Sequence, residues 1–353
     1  MKMRVAFVSV VPSPYQRDLF RALNARTEIE LSVFYLEAAA PDSPWPERPL
    51  AAYERILPGF WFPLGNARCH LNWNLPQPRN YDVIVLNTLM SLTGQWMMRT
   101  RLGKIPWIFW GERLRGRGFL HRRLTAPLHR ASGIAAIGSM AQQDYAQRFP
   151  EPHSFCIPYY CELAPFIFAP REEREPGEIV FLFCGQMIAR KGLDLLLAAF
   201  ARLDQGRLLL VGREAELPAL LGSLPPETRA RISYAGFQPP EALPAFFARA
   251  DVFVLPSRYD GWGVVVNQAL GAGLPIICSD AVGAAHDLVE DGVNGVKFAS
   301  GNVAALTDAL RSFLDDPARR EAAASASRKK ASAWHPEVGA GKWVDALQEV
   351  LRA

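Results

Sequence analysis

Cysteine is scarce in this chain of 353 residues, and the few cysteines present follow no paired pattern. There is no CxxC motif and no cluster of Cys and His at metal-ligand spacing, so neither a disulfide framework nor a zinc site is predicted. Cysteines within short apolar runs usually act as small hydrophobic side chains. We therefore expect a reducing, cytoplasmic setting for the five cysteines, which are Cys69, Cys156, Cys161, Cys184 and Cys278.

Long apolar runs and an excess of one charge are also missing. No apolar run approaches the ~18 residues needed to cross a bilayer. The short run after Met1–Arg4 precedes Pro12 and Pro14, so it is predicted to be a first strand rather than a signal peptide. Lys and Arg number 39 against 35 Asp and Glu, a balance that argues against a dedicated nucleic-acid binder. The histidines show no metal spacing; they are His70, His121, His129, His153, His286 and His335.

Short apolar runs alternate with helical stretches along most of the chain. The runs are continuous rather than alternating, which is typical of strands buried on both faces. Strand–helix alternation predicts parallel sheets with helices on both sides. Strands are predicted at residues 4–11, 30–36, 82–87, 106–111, 133–139, 178–184, 207–211, 232–235, 252–256 and 275–279. Helices are predicted at residues 14–25, 92–102, 140–149, 191–202, 241–250 and 264–272.

This pattern restarts once, after a proline-containing, acidic stretch at residues 161–177 that is the best linker candidate. The predicted fold class is therefore α/β, with two doubly wound, Rossmann-like domains. The predicted domains are an N-terminal domain at residues 1–162 and a C-terminal domain at residues 163–334. A helix at residues 335–353 is expected to join the first domain.

Two nucleotide-binding fingerprints are absent. Neither GxGxxG nor GxxxxGK[ST] occurs after a predicted strand, which counts against an NAD enzyme and a P-loop NTPase. Ligands of doubly wound sheets bind at the carboxyl ends of the strands. After the strand at 178–184 come Gly185 and Gln186, and then Arg190 and Lys191. Two cations before a helix suit a diphosphate, although such a pair is also a common solvated surface feature.

The loop after the strand at 252–256 is the most informative. Asp260 lies in it beside Gly261 and Gly263, and glycines allow a backbone to approach a ligand closely. The helix that follows offers partial positive charge to a phosphate. Gln268 lies about five residues into that helix, some 7–8 Å along its axis. A sugar near Asp260 and a ribose near Gln268 would thus be separated by about a diphosphate.

Residues 183–295 resemble the retaining glycosyltransferases of family 4, which have the GT-B fold. The family pattern includes a Gly-Arg…Lys-Gly loop, a Pro-Ser…Glu-Gly-Phe-Gly loop, a second Glu eight residues after the first, and a late Asp-Gly-x-x-Gly. The first half of the chain matches only coarsely. In the second half the matching residues, in the family's order, are Lys191-Gly192, Pro256-Ser257, Asp260-Gly261-Trp262-Gly263 and Asp291-Gly292-Val293-Asn294-Gly295.

The resemblance implies two domains facing a central cleft that holds the active site, and transfer from a nucleotide-diphospho-sugar with no metal or other cofactor. It makes Lys191 the phosphate ligand, Asp260 the sugar ligand and Gln268 the ribose ligand. Backbone amides of residues 261–263 would face the sugar and β-phosphate, and Phe237 would edge the base. The catalytic assignments are Asp260, Lys191 and Glu112. The donor-binding assignments are Gly185, Gln186, Arg190, Lys191, Phe237, Gly261, Trp262, Gly263, Val264 and Gln268.

The chain departs from the family pattern on the donor side. Gln186 stands where the family usually has a second cation, a loss for which Arg190 could compensate. Asp260 replaces a Glu, which keeps the charge and shortens the reach. Gln268 replaces the second Glu, so it still accepts a hydrogen bond from a ribose hydroxyl but without the negative charge.

A further departure falls in the first domain. Trp110 stands where the family commonly has a His near the donor sugar, and Glu112 is the nearest titratable group. The alternative for Glu112 is a surface carboxylate paired with Arg113 or Arg115. Six tryptophans precede residue 111 and suggest either core packing or an aromatic acceptor cleft; they are Trp45, Trp61, Trp73, Trp96, Trp107 and Trp110.

Several readings of function stay open. The leading one is a hexosyltransferase-type enzyme that acts on a glycan, lipid-linked or small-molecule acceptor. The rivals are a sugar-nucleotide epimerase and a non-catalytic binding protein with a decayed donor site. The segment Arg113–Arg130 carries six Arg with apolar residues between them. It suggests peripheral contact with an anionic membrane at the inner face, or else a solvated face of an Arg-rich protein.

Overall fold

The computed structural model describes residues 2–39, 48–64, 67–114, 116, 118–170 and 178–353. The chain divides into two compact units. Unit 1 comprises Met1–Cys161 and Pro336–Ala353, and unit 2 comprises Glu162–His335. Each unit is built on a parallel sheet, and the predicted α/β class with two Rossmann-like domains is confirmed. Among the described residues, no helix combines the length and apolar character that crossing a membrane requires.

Unit 1 has a seven-stranded sheet in the order β3-β2-β1-β6-β7-β8-β9, with every pairing parallel. The residues of β1 from Val5 to Val8 are completely buried, as its unbroken apolar run predicts. Strands β4 and β5 form a separate antiparallel hairpin. The strands are β1 (Met3–Ser9), β2 (Ile29–Tyr35), β3 (Glu54–Ile56), β4 (Gly59–Leu64), β5 (Ala67–Asn72), β6 (Val83–Leu86), β7 (Trp107–Gly111), β8 (Gly133–Ala136) and β9 (His153–Cys156).

The described helices of unit 1 include one from the far end of the chain. The C-terminal helix, Pro336–Arg352, packs against α1, and the Trp343 ring lies 5.0 Å from that of Phe7 in the sheet. The other helices are α1 (Pro14–Asn24), α2 (Leu92–Trp96), α3 (Phe119–Thr125) and α4 (Ser139–Arg148). Tighter 3-10 turns lie at Pro78–Asn80, Leu102–Lys104 and Ala126–Arg130, and a π-turn at Met97–Arg101.

Unit 2 has a six-stranded parallel sheet in the order β12-β11-β10-β13-β14-β15. The central strand β10 therefore lies between β11 and β13. The strands are β10 (Val180–Cys184), β11 (Arg207–Val211), β12 (Ile232–Tyr234), β13 (Val252–Leu255), β14 (Ile276–Ser279) and β15 (Gly295–Phe298). The helices are α5 (Ala164–Ile167), α6 (Leu193–Phe200), α7 (Leu217–Gly222), α8 (Pro226–Arg229), α9 (Leu243–Ala248), α10 (Val265–Gly271), α11 (Gly283–Leu288), α12 (Val303–Leu314) and α13 (Pro317–Ala331).

Two predicted helices differ from the structure in ways that bear on the site. The helix predicted at 191–202 begins at Leu193, because Gly192 adopts a left-handed conformation (φ 72°) and separates it from the 3-10 turn Ala189–Lys191. Lys191 therefore belongs to the turn and not to the helix. The helix predicted at 92–102 is α-helical only to Trp96 and continues as the π-turn.

Sequence patterning missed strands that are short or lie at the sheet edges. Three residues make up β3, and β9 is a four-residue edge strand with only partly covered side chains. The hairpin carries Pro63 and exposed aromatic residues, so neither of its strands has the continuous apolar pattern of the sheet cores. The missed strands are β3, β4, β5, β9 and β15.

Candidate functional site

The loops that follow the strands of unit 2 pack closely against one another at the carboxyl edge of its sheet. A Cβ on Gly192 would lie 2.1 Å from the carbonyl oxygen of Pro256, so the backbones of the loops after β10 and β13 pack directly against each other. A Cβ on Gly212 would lie 2.0 Å from the carbonyl oxygen of Gly185, which joins the loop after β11 to the same cluster. Only glycine permits such an approach.

A compact ionic cluster lies where these loops meet. The Lys191 ammonium donates to both carboxylate oxygens of Asp260, at 2.8 and 2.7 Å, and the Arg190 guanidinium donates to Oδ1 at 3.1 Å. The Ser257 hydroxyl donates to Oδ2 at 2.8 Å. Asp260 is only 8% exposed. Four donor contacts fill about as many acceptor positions as a carboxylate has, and two cations against one carboxylate leave the cluster with a net positive charge.

Arg258 joins the loops after β10 and β13, a role that no motif in the sequence indicated. Its guanidinium binds both carboxylate oxygens of Asp194, at 2.7 and 2.6 Å, and donates to the carbonyl oxygen of Ala189 at 2.6 Å. Its backbone N–H donates to the carbonyl oxygen of Arg190 at 2.8 Å. The hydrogen bond from Arg258 lowers the pKa of Asp194. Because the two partners are 64 residues apart, no local motif pairs them.

The loop from Asp260 to Gly263 is fixed by the loop that follows β14. The Asp260 N–H donates to the carbonyl of Ala281, and the Gly283 N–H donates to the carbonyl of Asp260, both at 3.1 Å. A Cβ on Gly283 would lie 2.2 Å from the carbonyl oxygen of Gly261. Gly263 has φ 90°, which an L side chain rarely adopts. The glycines of this motif therefore serve a close backbone fit within unit 2.

Trp262 contributes to this loop through its backbone and not through an exposed ring. Its side chain is 1% exposed, its indole N–H donates to Oδ1 of Asn267 at 2.8 Å, and it stacks on Trp334 with 6.0 Å between ring centroids. The ring thus anchors the loop. The backbone N–H groups of residues 261–264 meet no acceptor within the described part of the chain, so they stay available to a ligand.

The remaining predicted donor ligands lie around this cluster rather than in it. Gln268 on α10 is partly exposed, and its amide has no hydrogen-bond partner among the described residues. Gln186 and Val264 are also partly exposed, at the loop after β10 and at the start of α10. Phe237 is 45% exposed and follows the edge strand β12, two strands from β10. The structure therefore brings together Arg190, Lys191, Asp260 and the 261–264 loop, with Gly185 beneath them.

In unit 1, Trp110 and Glu112 have different environments. Trp110 is completely buried in β7, and its indole N–H donates to the carbonyl of Ile157 at 3.1 Å. Glu112 follows the strand and is exposed, with its carbonyl accepting from the Tyr145 hydroxyl at 2.8 Å. An open cavity of about 430 Å³ is lined by Glu112, Tyr159 and Asn87 among others. Trp110 is therefore a core residue.

The six early tryptophans do not form one cleft. Trp107 and Trp110 are buried in the sheet, as the core-packing alternative predicts, whereas Trp61, Trp73 and Trp96 are 41–51% exposed. Trp45 lies outside the described residues.

A network of hydrogen bonds between uncharged side chains lies beside the cavity that Glu112 lines, and no sequence motif predicted it. The Ser13 hydroxyl donates to Gln16, whose amide donates to Asn87 at 3.0 Å, and Asn87 donates to the carbonyl of Trp110 at 2.8 Å. Ser13 occupies the N-cap position of α1, but its hydroxyl joins this network and caps no backbone N–H. Burial raises the pKa of Tyr159 well above its usual value, so its phenol stays protonated.

Thiol chemistry is disfavoured at the unit 2 cluster. Burial raises the pKa of Cys184 to about 12. Burial, with the nearby Asp260 charge, also raises the pKa of Cys278. Both thiols are therefore protonated near neutrality and are poor nucleophiles. Within the described ranges no group of three or more His, Cys, Asp or Glu side chains is placed to hold a metal ion.

Comparison with solved structures defines the class of fold. The chain is similar to sucrose-phosphate synthase from Thermosynechococcus elongatus, with a TM-score of 0.77 and 21% identity over 99% of this chain and 100% of that one. It is also similar to Anabaena Alr3699/HepE, solved in complex with UDP, with a TM-score of 0.75 and 17% identity over 98% and 100% of the two chains. The fold is GT-B.

Sequence comparison agrees for unit 2. Residues 167–330 match the family model described as glycosyl transferases group 1. The chain is 32% identical to glycogen synthase of Mycobacterium tuberculosis (strain ATCC 25618 / H37Rv) over 174 residues, which cover 48% of this chain and 42% of that protein. It is 30% identical to alpha-D-kanosaminyltransferase of Streptomyces kanamyceticus over 40% of this chain and 38% of that protein. The alignments thus span about two fifths of these relatives' length. The solved structures thus show the fold of the whole chain, and the family match covers the part of it that runs from β10 to β15.

Proposed function

We propose that this chain is a cytoplasmic, family 4-like glycosyltransferase that moves a hexosyl group from a nucleotide-diphospho-sugar to an acceptor hydroxyl with retention of configuration. The observation that carries the proposal is the cluster of Arg190, Lys191 and Asp260 at the carboxyl ends of β10 and β13. Its net positive charge suits a diphosphate, and its carboxylate suits sugar hydroxyls. No metal or other cofactor is required in this proposal.

The saturation of Asp260 suggests how the donor would bind. With Lys191, Arg190 and Ser257 all donating to it, the carboxylate has little capacity left for a sugar hydroxyl. A diphosphate that attracts Lys191 would release two of these contacts and so free acceptor positions on Asp260. Diphosphate and sugar binding would therefore be coupled through a single lysine.

The rest of the donor follows from the positions of the surrounding residues. The unpaired amides of residues 261–264 would donate to the β-phosphate and sugar. Gln268, with a free amide on the same helix, would bind the ribose, and the exposed Phe237 ring would edge the base. Gly185 and Gln186 would border the diphosphate. Anabaena Alr3699/HepE has been solved in complex with UDP and with UDP-glucose, which makes UDP-sugars the first donors to test here.

The proposed chemistry depends on stabilising the leaving group. As the bond between the anomeric carbon and the β-phosphate oxygen breaks, its electron pair passes to the diphosphate, where Lys191 and Arg190 offset the added charge. The acceptor oxygen forms the new bond on the same face and passes its proton to an oxygen of the departing diphosphate. We assign Glu112, at the cavity of about 430 Å³ in unit 1, to the side that holds a glycan, lipid-linked or small-molecule acceptor.

A donor screen followed by product analysis tests the proposal. Thermal shift is measured with UDP-, GDP-, ADP- and dTDP-sugars, and the best donor is incubated with candidate acceptors. We expect one nucleotide class to raise Tm, and release of the nucleoside diphosphate to require an acceptor. NMR of the glycoside should show the anomeric configuration of the donor. The Asp260→Asn variant, which keeps the shape of the side chain, should lose turnover.

Two other outcomes would favour the rival functions. A change of sugar stereochemistry without any acceptor would indicate an epimerase. Donor binding without turnover across a broad acceptor panel would indicate a binding protein. This alternative is supported by Trp110, which is buried and stands where the family commonly has a histidine.

A further inference from the structure

The β4–β5 hairpin carries exposed apolar side chains on one of its faces. Phe60 pairs with Leu71, and side chains alternate along each strand, so Phe60, Phe62, Leu71 and Trp73 share one face. Phe60 is 54% exposed and Trp73 51%. On the opposite face His70 is buried and the Asn72 amide donates to the carbonyl of Leu36, whereas the Trp61 ring is 44% exposed beside the Arg68 guanidinium. We call Phe60, Phe62, Leu71 and Trp73 the hairpin face.

Two helices extend this apolar surface. Thr93 of α2 accepts a hydrogen bond from the N–H of Asn72 in the hairpin, and Gln95 of α2 donates to the carbonyl of Leu124 in α3. The exposed side chains of α2 are Leu92 and Trp96, and those of α3 include Phe119 and Leu120, which are 78% and 67% exposed. Exposed apolar patches on this scale mark interaction surfaces.

Positive charge is concentrated in the same stretch of chain. Residues 55–143 contain 12 Lys and Arg but only two acidic residues, Asp82 and Glu112, whereas the rest of the chain has 27 Lys and Arg against 33 Asp and Glu. The Arg101 guanidinium lies 4.4 Å from the centre of the exposed Trp96 ring. Arg122 and Arg123 on α3 are exposed and form no ion pair with the described residues. Arg115 and Arg117, also in this stretch, lie outside the described residues.

We propose that the hairpin face, the exposed side of α2 and the start of α3 together bind the surface of an anionic lipid bilayer. Aromatic rings favour the interface between headgroups and acyl chains, and clustered arginines favour anionic headgroups. The surface also carries exposed leucines beside its rings, and these aliphatic side chains find a partner in acyl chains rather than in a nucleic acid. A second copy would bring like charges together. The inference goes beyond the proposed function and holds whether or not the chain transfers a sugar.

Vesicle flotation of the full chain tests the proposal. Neutral phosphatidylcholine vesicles are compared with vesicles that also contain phosphatidylglycerol, at low and high salt. We expect flotation with the anionic vesicles only, weakened by salt because part of the attraction is between charges at the surface. The Arg122→Gln/Arg123→Gln variant should bind anionic vesicles about tenfold more weakly or worse. Its matched control is Arg328→Gln/Lys329→Gln, which removes the same charge from α13 in unit 2.

A second pair of variants tests the apolar contact. Phe60→Ser/Trp73→Ser removes two rings of the hairpin face, and Ile167→Ser/Phe168→Ser removes two exposed apolar side chains from unit 2. We expect only the first to weaken binding, by about tenfold or more. Thermal melts confirm that each variant folds.

Several results would overturn the inference. No flotation with anionic vesicles at low salt would do so, as would equal losses in each variant and its control. Loss of binding with the arginine variant alone would remove the hairpin face from the contact. Tighter binding to a single-stranded oligonucleotide than to vesicles, or salt-dependent dimerisation through the same residues, would assign the surface to another partner.

Discussion

The strand ends of the two units are built from different chemistry. In unit 2 the loops after β10 and β13 carry two cations around one buried carboxylate, whereas in unit 1 the neutral side chains of Ser13, Gln16 and Asn87 form a hydrogen-bonded network after β1 and β6. Charged groups in a compact cluster suit a phosphorylated ligand. Neutral donors and acceptors suit a ligand with hydroxyl groups. The same kind of sheet thus presents two kinds of surface.

Unit 1 also contains a charged pair that is buried, and the largest effect is expected there. Arg17 on α1 binds both carboxylate oxygens of Glu54, at 2.9 and 2.7 Å, and Tyr35 donates to the same carboxylate. The Glu54 side chain is completely buried. Arg17→Ala leaves that charge without its cation, so we expect a loss of about 3–5 kcal/mol in the free energy of unfolding. Urea denaturation followed by the fluorescence of unit 1 measures it.

The control lies one helical turn away. Arg21 pairs with Asp18 at 2.7 Å, but its side chain is 64% exposed. Arg21→Ala should cost about 0–1 kcal/mol, as exposed pairs do. Equal losses in the two variants would mean that burial does not set the strength of the Arg17 pair.

The next largest effect is expected at the charged cluster of unit 2. Lys191→Ala removes two of the contacts to Asp260 and the cation proposed for the diphosphate. We expect donor binding to weaken by about 1.5–3 kcal/mol, the scale of a charged hydrogen bond. Calorimetric titration with the cognate donor measures it, and Lys329→Ala, an exposed lysine on α13, is the control. Unchanged affinity in Lys191→Ala would end the phosphate role and leave the lysine as a structural partner of Asp260.

The difference between the charged cluster of unit 2 and the neutral network of unit 1 also explains which features could be predicted from the sequence. The parallel sheets were predictable because buried strands such as β1 and β13 are continuous apolar runs. Arg190, Lys191 and Asp260 were singled out because charges beside glycines in strand-end loops are conspicuous. Their ion pairing, across 69 and 70 residues, was not predictable because it depends on which strands are neighbours.

The neutral network of unit 1 shows the opposite case. Gln16 and Asn87 are ordinary polar residues 71 positions apart, and only the pairing of β1 with β6 brings their neighbourhoods together. The hairpin was missed because its aromatic side chains face outward and do not follow the pattern of a core strand. For Trp110, which stands where the family commonly has a His, the core-packing alternative is the one that its burial supports.

Two buried tryptophans, one in each unit, allow the value of a single hydrogen bond to be measured. Trp262 donates to the completely buried Asn267, whereas the buried indole N–H of Trp343 has no acceptor among the described residues. Both variants, Trp262→Phe and Trp343→Phe, lose similar packing volume. Because only the first also removes a hydrogen bond to a buried acceptor, we expect it to cost roughly 1–2 kcal/mol more. Paired urea titrations give the difference, and a larger loss at Trp343 would contradict the hydrogen-bond argument.

The smallest effect is expected at the exposed pair that joins the two cationic loops. The hydrogen bond from Arg258 lowers the pKa of Asp194 below its ordinary 3.8. A carboxyl whose pKa is lowered in the folded state adds stability above its ordinary pKa and loses it as pH falls through the folded-state value. With side chains 36% and 40% exposed, the pair should contribute less than about 1 kcal/mol. Asp194→Asn should therefore lower the urea midpoint slightly at neutral pH and not at all once the pH is below the folded-state pKa. A deficit that persists in acid would mean that the carboxylate's charge is not what holds the two loops, and that the shape of the side chain or its contact with the α6 backbone does so instead.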